Sequence, residues 1–280
     1  MEVFKTIVET KKYIKSQICL GKSVGFVPTM GALHKGHISL IERANAENDL
    51  VVASIFVNPT QFGNPEDLVK YPKTLEADCA LLKPARCDVV FAPSAEEMYV
   101  NLPDLKLNFG HLEHVMEGAF RPDHFNGVGI VVSKLFHIVN PDRAYFGLKD
   151  LQQVAILTRL VKDLSFDLEL IPCPIIRELD GLAMSSRNTR LSHDARKSAS
   201  QISIATRKAK DLMIQGGNSL AIKEAIFTHF KAYPEFEMEY LEISDFEQLT
   251  PIDRMMEGRK TAICIAAYLD KVRLIDNIVF

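Results

Sequence analysis

The most constraining feature of this chain is a repeated alternation over its first two thirds. Short β-branched or aromatic runs alternate with stretches whose apolar residues recur at helical spacing. Ser23–Val27 and Leu50–Phe56 predict buried strands, each bounded by Gly, Asn, Asp or Pro. Between them, Gly36–Glu47 carries Ile38, Leu40, Ile41 and Ala44 on one helical face. Asp88–Phe91 predicts a third strand, preceded by a polar stretch, Glu66–Lys83, with Leu68, Leu75, Leu81 and Leu82 at helical intervals. Gly129–Val139 is mostly apolar and fits a strand or a buried helix. Ala144–Phe146 followed by Asp150–Leu164 predicts strand then helix, and Leu168–Cys173 another strand. Repeated strand–helix units build a parallel sheet, whose crossovers are right-handed. The expected fold is α/β: a Rossmann-like parallel sheet with helices on both faces.

The pattern changes after Pro174. Ser192–Gln215 is a Lys, Ala and Ser-rich helical stretch, ended by Gly216-Gly217-Asn218, and Ser219–Phe230 predicts a second helix. Glu237–Ser244, Thr261–Leu269 and Lys271–Ile275 predict strands, the last two joined as a hairpin at Asp270-Lys271. This divides the chain into residues 1–175, the parallel-sheet domain, and 176–280, a smaller α+β domain.

Composition removes several classes. With 33 Lys and Arg against 36 Asp and Glu, the chain lacks the cationic surplus that binding to nucleic-acid phosphates requires. Its hydrophobic fraction, 47%, suffices for a packed core and excludes intrinsic disorder. No apolar run approaches the ~20 residues that span a bilayer, and Met1–Lys15 interleaves acidic, basic and apolar residues, unlike a secretory leader. The five cysteines are odd in number and show no CxxC pair, which suits a reducing cytoplasm and argues against a disulfide framework.

Four segments carry chemistry. Pro28–His37 leaves the first strand and opens a helix, the place where parallel sheets bind ligands. Gly36 permits close approach of a phosphate, N–H groups at the helix start attract its oxygens, and His34 and His37 sit three residues apart in the first turn. Asn58-Pro59-Thr60-Gln61-Phe62 follows the next strand. Asn58 and Gln61 are neutral groups that donate and accept, suited to a small hydroxylated substrate, although Asn-Pro taken alone reads first as an ordinary turn. In Gly147-Leu148-Lys149-Asp150, Lys149 offers a point charge for phosphates and Asp150 a helix cap or an acceptor for ribose hydroxyls, with Gln153 one turn on. Met184-Ser185-Ser186-Arg187 places hydroxyls and a guanidinium in one loop, with Ser192 capping the helix beyond. No Walker A, GxGxxG or GxSxG pattern occurs. The pairs His34/His37 and His111/His114 admit a zinc reading, but without HExxH and far apart in sequence they support it poorly.

In order and spacing these four segments resemble the pantothenate synthetases (pantoate–β-alanine ligases) of the HxGH nucleotidyltransferase superfamily, over essentially the whole chain. The resemblance implies that pantoate's carboxylate attacks the α-phosphorus of ATP, brought with Mg²⁺, to give pantoyl-adenylate and pyrophosphate. β-Alanine's amine then displaces AMP. By matched position, Met30, Gly31, Ala32, Leu33, His34, Lys35, Gly36 and His37 line the ATP site with Gly147, Leu148, Lys149, Asp150, Ile176, Met184, Ser185, Ser186 and Arg187. His37, His34 and Lys149 carry the catalysis; Gln61, Gln153 and Asn58 bind pantoate and β-alanine; no protein metal site is implied. The resemblance makes His37 a proton donor, but pyrophosphate leaves without needing a proton, so both histidines are first of all stabilisers of transition-state charge. It also implies a cytoplasmic homodimer. Apolar stretches near Leu107 and Val128 offer either an interface or core. A nucleotidyltransferase for a phosphorylated acceptor, a silent ATP-binding module and a zinc hydrolase are the competing readings.

Two positions depart from the family pattern. Arg121-Pro122-Asp123-His124-Phe125 has Asp123 where members usually carry Gly, beside a flap that includes Arg121. Ala77-Asp78 stands where members often have two acids, leaving Asp78 either near Mg²⁺ or in a packing role.

Overall fold

The computed structural model describes residues 1–63 and 65–280, which fall into two compact units, Met1–Pro174 and Ile175–Phe280. In the first, six strands pair in parallel: β1 (Glu2–Phe4), β2 (Val24–Thr29), β3 (Leu50–Ile55), β4 (Val89–Phe91), β5 (Arg143–Gly147) and β6 (Glu169–Cys173). Their order across the sheet is β1-β4-β3-β2-β5-β6. The chain builds outward from β2 through β3 to β4, then returns to β2's other side for β5 and β6. The reversal lies between β2 and β5, and parallel sheets open a ligand crevice at the C-terminal ends of such strands.

The strands are apolar without interruption because both faces are covered. Phe26, Val52 and Phe91 pack with Leu135, Phe136 and Leu157 on one face. Their neighbours Val27, Val51, Ala53 and Val90 pack with Leu40, Ile41 and Leu82 on the other. Adjacent strand residues point to opposite faces, so each needs a partner layer.

The ambiguous run around residue 129 is helix, from His124 to Val139. Most of its residues are buried, Val128 included, and the polar Asn126, Ser133, Lys134 and His137 that are not buried share one narrow face, while Leu107 and Phe109 pack onto the same core. These stretches are therefore core. Glu66–Lys83 forms two helices, Pro65–Lys70 and Leu75–Leu82, with Pro72 between them. The sequence pattern misses β1 and the helix Ile7–Ile18, because β1 lies at the sheet edge and only Thr10 and Ile14 of that helix are buried.

The second unit is an antiparallel sheet, β7 (Phe236–Asp245), β8 (Thr261–Leu269) and β9 (Val272–Val279). Helices Gln201–Ile214 and Ser219–Phe230 share its core through Ile202, Ala205, Ala209 and Ile226 against Ile263 and Ile265. The β8–β9 hairpin turns on Asp270 and Lys271, both at positive φ, as a two-residue turn compatible with strand twist requires.

Asp123 has φ +61°, just before the helix His124–Val139. That left-handed region is one where glycine carries no Cβ penalty, which explains glycine as the usual residue of the pattern. Asp123→Gly should relieve about 1 kcal/mol of strain, partly offset by a more flexible unfolded chain, and raise the melting midpoint by about 1–3 °C. Calorimetry of the pair checks this; a lower midpoint for the glycine variant would contradict it.

Candidate active site

The loop after β2 is held in shape by one buried carboxylate. Thr29 ends the strand, and Gly31 and Ala32 follow at φ +86° and +50°. This double left-handed turn aims two main-chain N–H groups at Asp78. Ala32 N donates to Asp78 Oδ2 at 3.1 Å and Leu33 N to Oδ1 at 2.7 Å, while Thr74 Oγ1 donates to Oδ2 at 3.1 Å. A Cβ at Gly31 would stand 3.0 Å from Asp78 Oδ2 and 3.1 Å from Ile55. Asp78, on the helix Leu75–Leu82, is 1% exposed, and both its oxygens are engaged by the loop.

The helix Lys35–Glu47 then starts with a reciprocal arrangement of imidazoles. Gly36 N donates to His34 Nδ1 at 3.1 Å, and His34 N donates to His37 Nδ1 at 3.2 Å, with ring centroids 4.1 Å apart. A backbone N–H can only donate, so each Nδ1 is an acceptor and each neutral ring carries its proton on Nε2. The N–H groups of His34 and Gly36 are thus taken up by the rings. His37 N donates in turn to His34 O at 2.8 Å, so the main chain of this turn is largely engaged and each ring's donor is its Nε2–H.

Burial lowers the His37 pKa to about 3, with His34 and Lys149 adding to the fall and Asp150 opposing it. His37 is therefore neutral in the unliganded protein near pH 7, a hydrogen-bond donor rather than an imidazolium acid. The influence of Lys149 and Asp150 on its ring reflects the pairing of β2 with β5, which brings the β5 turn beside the β2 loop. Lys149 lies in the 3₁₀ turn Leu148–Asp150 with its Nζ 3.6 Å from Asp150 Oδ1. Gly147 has an ordinary φ of −75° and nothing within 4 Å of where a Cβ would stand. No protein contact requires glycine there, whereas a closely approaching ligand would.

Beyond β3, Asn58 and Gln61 are both buried. Asn58 Oδ1 accepts from Tyr99 OH at 2.9 Å, Thr60 Oγ1 at 3.0 Å and Thr60 N at 3.4 Å. Its Nδ2 donates to Gly127 O at 3.2 Å and to Gln61 Oε1 at 3.1 Å. Gln61 Nε2 lies 3.2 Å from Met30 Sδ, which joins this segment to the β2 loop. The helix His124–Val139 approaches so closely that a Cβ on Gly127 would fall 2.4 Å from Thr60 O.

His124, absent from the sequence-derived site, holds the main chain of Gln61. Its Nδ1 donates to Gln61 O at 2.9 Å, and its Nε2 accepts from Arg121 Nη1 at 3.2 Å. Burial, then the nearby Arg121 cation, lowers its pKa to about 4. His37 and His124 both have folded pKa values below the unfolded value of about 6.5. As pH falls below 6.5, the unfolded chain binds protons that the folded chain refuses, so the stability these rings contribute is complete above 6.5 and is lost toward pH 4. Unfolding at pH 5.5 should take up about two protons at these sites. Denaturant midpoints measured between pH 6.5 and 5.5 should fall; a flat profile would contradict the assignment.

Gln153 is half-buried on the helix Leu151–Asp163. Its neighbour Gln152 is buried and donates to Leu112 O at 2.6 Å and Val115 O at 2.8 Å while accepting from Glu117 N at 2.9 Å. Gln152 thereby fastens the 110–117 stretch to this helix. Gln153, about 100° further round, is not part of that network.

In the second unit, Met184 N donates to Ile176 O at 2.9 Å, beside a bridge between Arg177 and Ala183. Ser185 Oγ accepts from Arg187 N at 3.2 Å and starts the 3₁₀ helix Ser186–Arg190. Asn188 Nδ2 ties this turn to Glu178 Oε1 and Ala183 O, each at 3.0 Å. Ser192 caps the next helix by accepting from Ala195 N. Among the described residues, no cluster of three His, Cys, Asp or Glu side chains is arranged to hold a metal.

Residues 2–279 match the family model described as pantoate-beta-alanine ligase. A pantothenate synthetase from Cytophaga hutchinsonii is 51% identical over 261 residues, covering 92% of this chain and 91% of that protein. The crystal structure of pantothenate synthetase from Thermus thermophilus superposes with a TM-score of 0.92 at 43% identity, covering 99% of each chain. A pantoate-beta-alanine ligase from Francisella tularensis, complexed with β-γ ATP and β-alanine, gives 0.83 at 36% identity over 100% of this chain and 97% of that one.

Proposed function

This chain belongs to the pantoate–β-alanine ligase family, and from that premise we propose how its own residues perform the ATP-dependent condensation of pantoate with β-alanine. The observation that carries the proposal is the paired imidazole turn at the β2–β5 crevice, with both Nδ1 atoms held by backbone and Lys149 close by. Relatives of this chain are named for the ligase, which disfavours the alternative of a transferase acting on a phosphorylated acceptor.

ATP enters with its α-phosphate facing the loop Met30–His37 and the open side of Gly147. Pantoate's carboxylate oxygen attacks the α-phosphorus, and the bond to the β-phosphate oxygen breaks to release pyrophosphate. Charge grows on the phosphoryl oxygens during this exchange. Neutral His34 and His37 donate Nε2–H bonds, and Lys149 supplies a fixed positive charge. No proton has to move. β-Alanine's neutral amine then adds to the acyl carbon, the carbon–oxygen bond breaks to release AMP with the former carboxylate oxygen attached, and the proton lost from nitrogen passes to solvent.

Gln61 and Gln153 bind pantoate. Asn58, whose polar atoms are engaged by Thr60, Tyr99, Gly127 and Gln61, orients Gln61 rather than touching substrate. By their match to the family pattern, Ile176, Met184, Ser185, Ser186 and Arg187 are assigned to binding ATP. Asp78 does not suit a metal-ligand role, since its oxygens hold the loop, so Mg²⁺ arrives as part of the substrate on the ATP phosphates. The five free cysteines support a reducing cytoplasm. Val100, Leu102 and Leu105, exposed along one stretch, support a homodimer.

The route is tested with pantoate labelled with ¹⁸O in its carboxylate. One label should appear in AMP for each pantothenate formed; label in pyrophosphate, or none in AMP, would overturn it. Gln153→Ala should raise the pantoate KM roughly tenfold or more, because a buried substrate oxygen loses its partner. An unaltered pantoate saturation curve would remove Gln153 from the substrate site.

A further inference from the structure

A carboxamide has a donor end and an acceptor end, and its surroundings decide which end faces which way. At Asn58 two groups of fixed polarity settle the choice. The N–H of Thr60 can only donate, so Oδ1 lies there; the carbonyl of Gly127 can only accept, so Nδ2 lies there. The remaining Nδ2 proton points to Gln61, which must offer Oε1. Gln61 therefore turns its Nε2 donor end toward Met30 and the β2 loop.

The shortest side-chain tie on this chain of amides comes from outside the segment. Tyr99 OH donates to Asn58 Oδ1 at 2.9 Å across 41 positions of sequence. Tyr99 follows β4 and the short helix Ala95–Met98 and is 9% exposed. Its ring lies 6.2 Å from that of Phe56, and Lys134 Nζ is 5.4 Å from its centroid. Ring and hydroxyl are thus held independently. Polarising one bond in such a chain strengthens the next.

We propose that Tyr99 is a positioning residue: by bracing Asn58, whose orientation Thr60 and Gly127 set, it holds the Gln61 carboxamide in place with its donor end toward the β2 loop, where Gln61 meets an oxygen acceptor of the substrate. This rests on the assignment of Gln61 to pantoate. Tyr99 touches no substrate and acts only through the two amides.

The test is Tyr99→Phe, alone and combined with Gln61→Ala, in the full chain. Phenylalanine keeps the ring against Phe56 and Lys134 and removes only the hydroxyl. The pantoate KM should rise roughly three- to tenfold, the range expected for one lost hydrogen bond, with the ATP KM within about twofold and the melting midpoint nearly unmoved. In the Gln61→Ala background the same substitution should add nothing, since two residues acting through one contact are not additive. An unchanged pantoate KM in Tyr99→Phe, or an equal rise in both backgrounds, would overturn the proposal. A rise in both substrates' KM with a lowered melting midpoint would mark a purely structural role and also overturn it. If Gln61→Ala alone leaves the pantoate KM unchanged, the assignment of Gln61 fails and the proposal falls with it, a result distinct from failure of the Tyr99 link alone.

Discussion

His37→Ala should lower the rate of pyrophosphate formation about 10²–10³-fold, the usual cost of removing one preorganised donor from a developing oxyanion. ATP affinity should change far less, because the donor is worth most when charge grows at the phosphorus. His34 N loses its acceptor in this variant, which costs further loop order. His37→Asn, whose side-chain amide retains a donor, should recover part of the lost rate. The wild-type free enzyme should show no acid limb near pH 6.5 attributable to His37, since its pKa is lowered to about 3. Pre-steady-state pyrophosphate release checks the first claim. A turnover number unchanged in His37→Ala would remove the residue from the mechanism.

Asp78→Ala should be the most damaging substitution away from the reacting atoms. It strands the N–H groups of Ala32 and Leu33 in a buried setting, having removed two charge-assisted bonds. The expected loss is about 3 kcal/mol, a melting midpoint lower by roughly 5–10 °C. Activity should fall too, because the turn that aims His34 and His37 loses its anchor. Asp78→Asn keeps an acceptor for one N–H but turns an amide toward the other, so it should fall between wild type and alanine. A metal ligand would behave differently: its loss would shift the Mg²⁺ requirement while leaving the metal-free protein as stable as before. Calorimetry without Mg²⁺ separates the two, and an unchanged midpoint in Asp78→Ala would contradict the anchoring role.

What the sequence makes legible is set by local chemistry. The strands after Ser23 and Leu50 are readable because burial on both faces leaves them continuously apolar. The Pro28–His37 turn is readable because glycine and two histidines at a strand–helix junction are residue types suited to binding an anion. The ties that aim those residues are long-range and carry no local signature. Asp78 reaches the loop from 45 and 46 positions away, and Tyr99 reaches Asn58 from 41. His124 is visible in the Arg-Pro-Asp-His-Phe motif, but its bond to the Gln61 carbonyl depends on Gly127 letting a helix approach Thr60. Gln152 and Gln153 are indistinguishable by residue type; only the helix phase separates the buried strut from the half-buried neighbour.

The most direct test of the account is pyrophosphate release from ATP and Mg²⁺, with and without pantoate, before β-alanine is added. The account predicts a burst that depends on pantoate and approaches one pyrophosphate per site, with steady AMP formation only after β-alanine arrives. Pyrophosphate release indifferent to pantoate would contradict it.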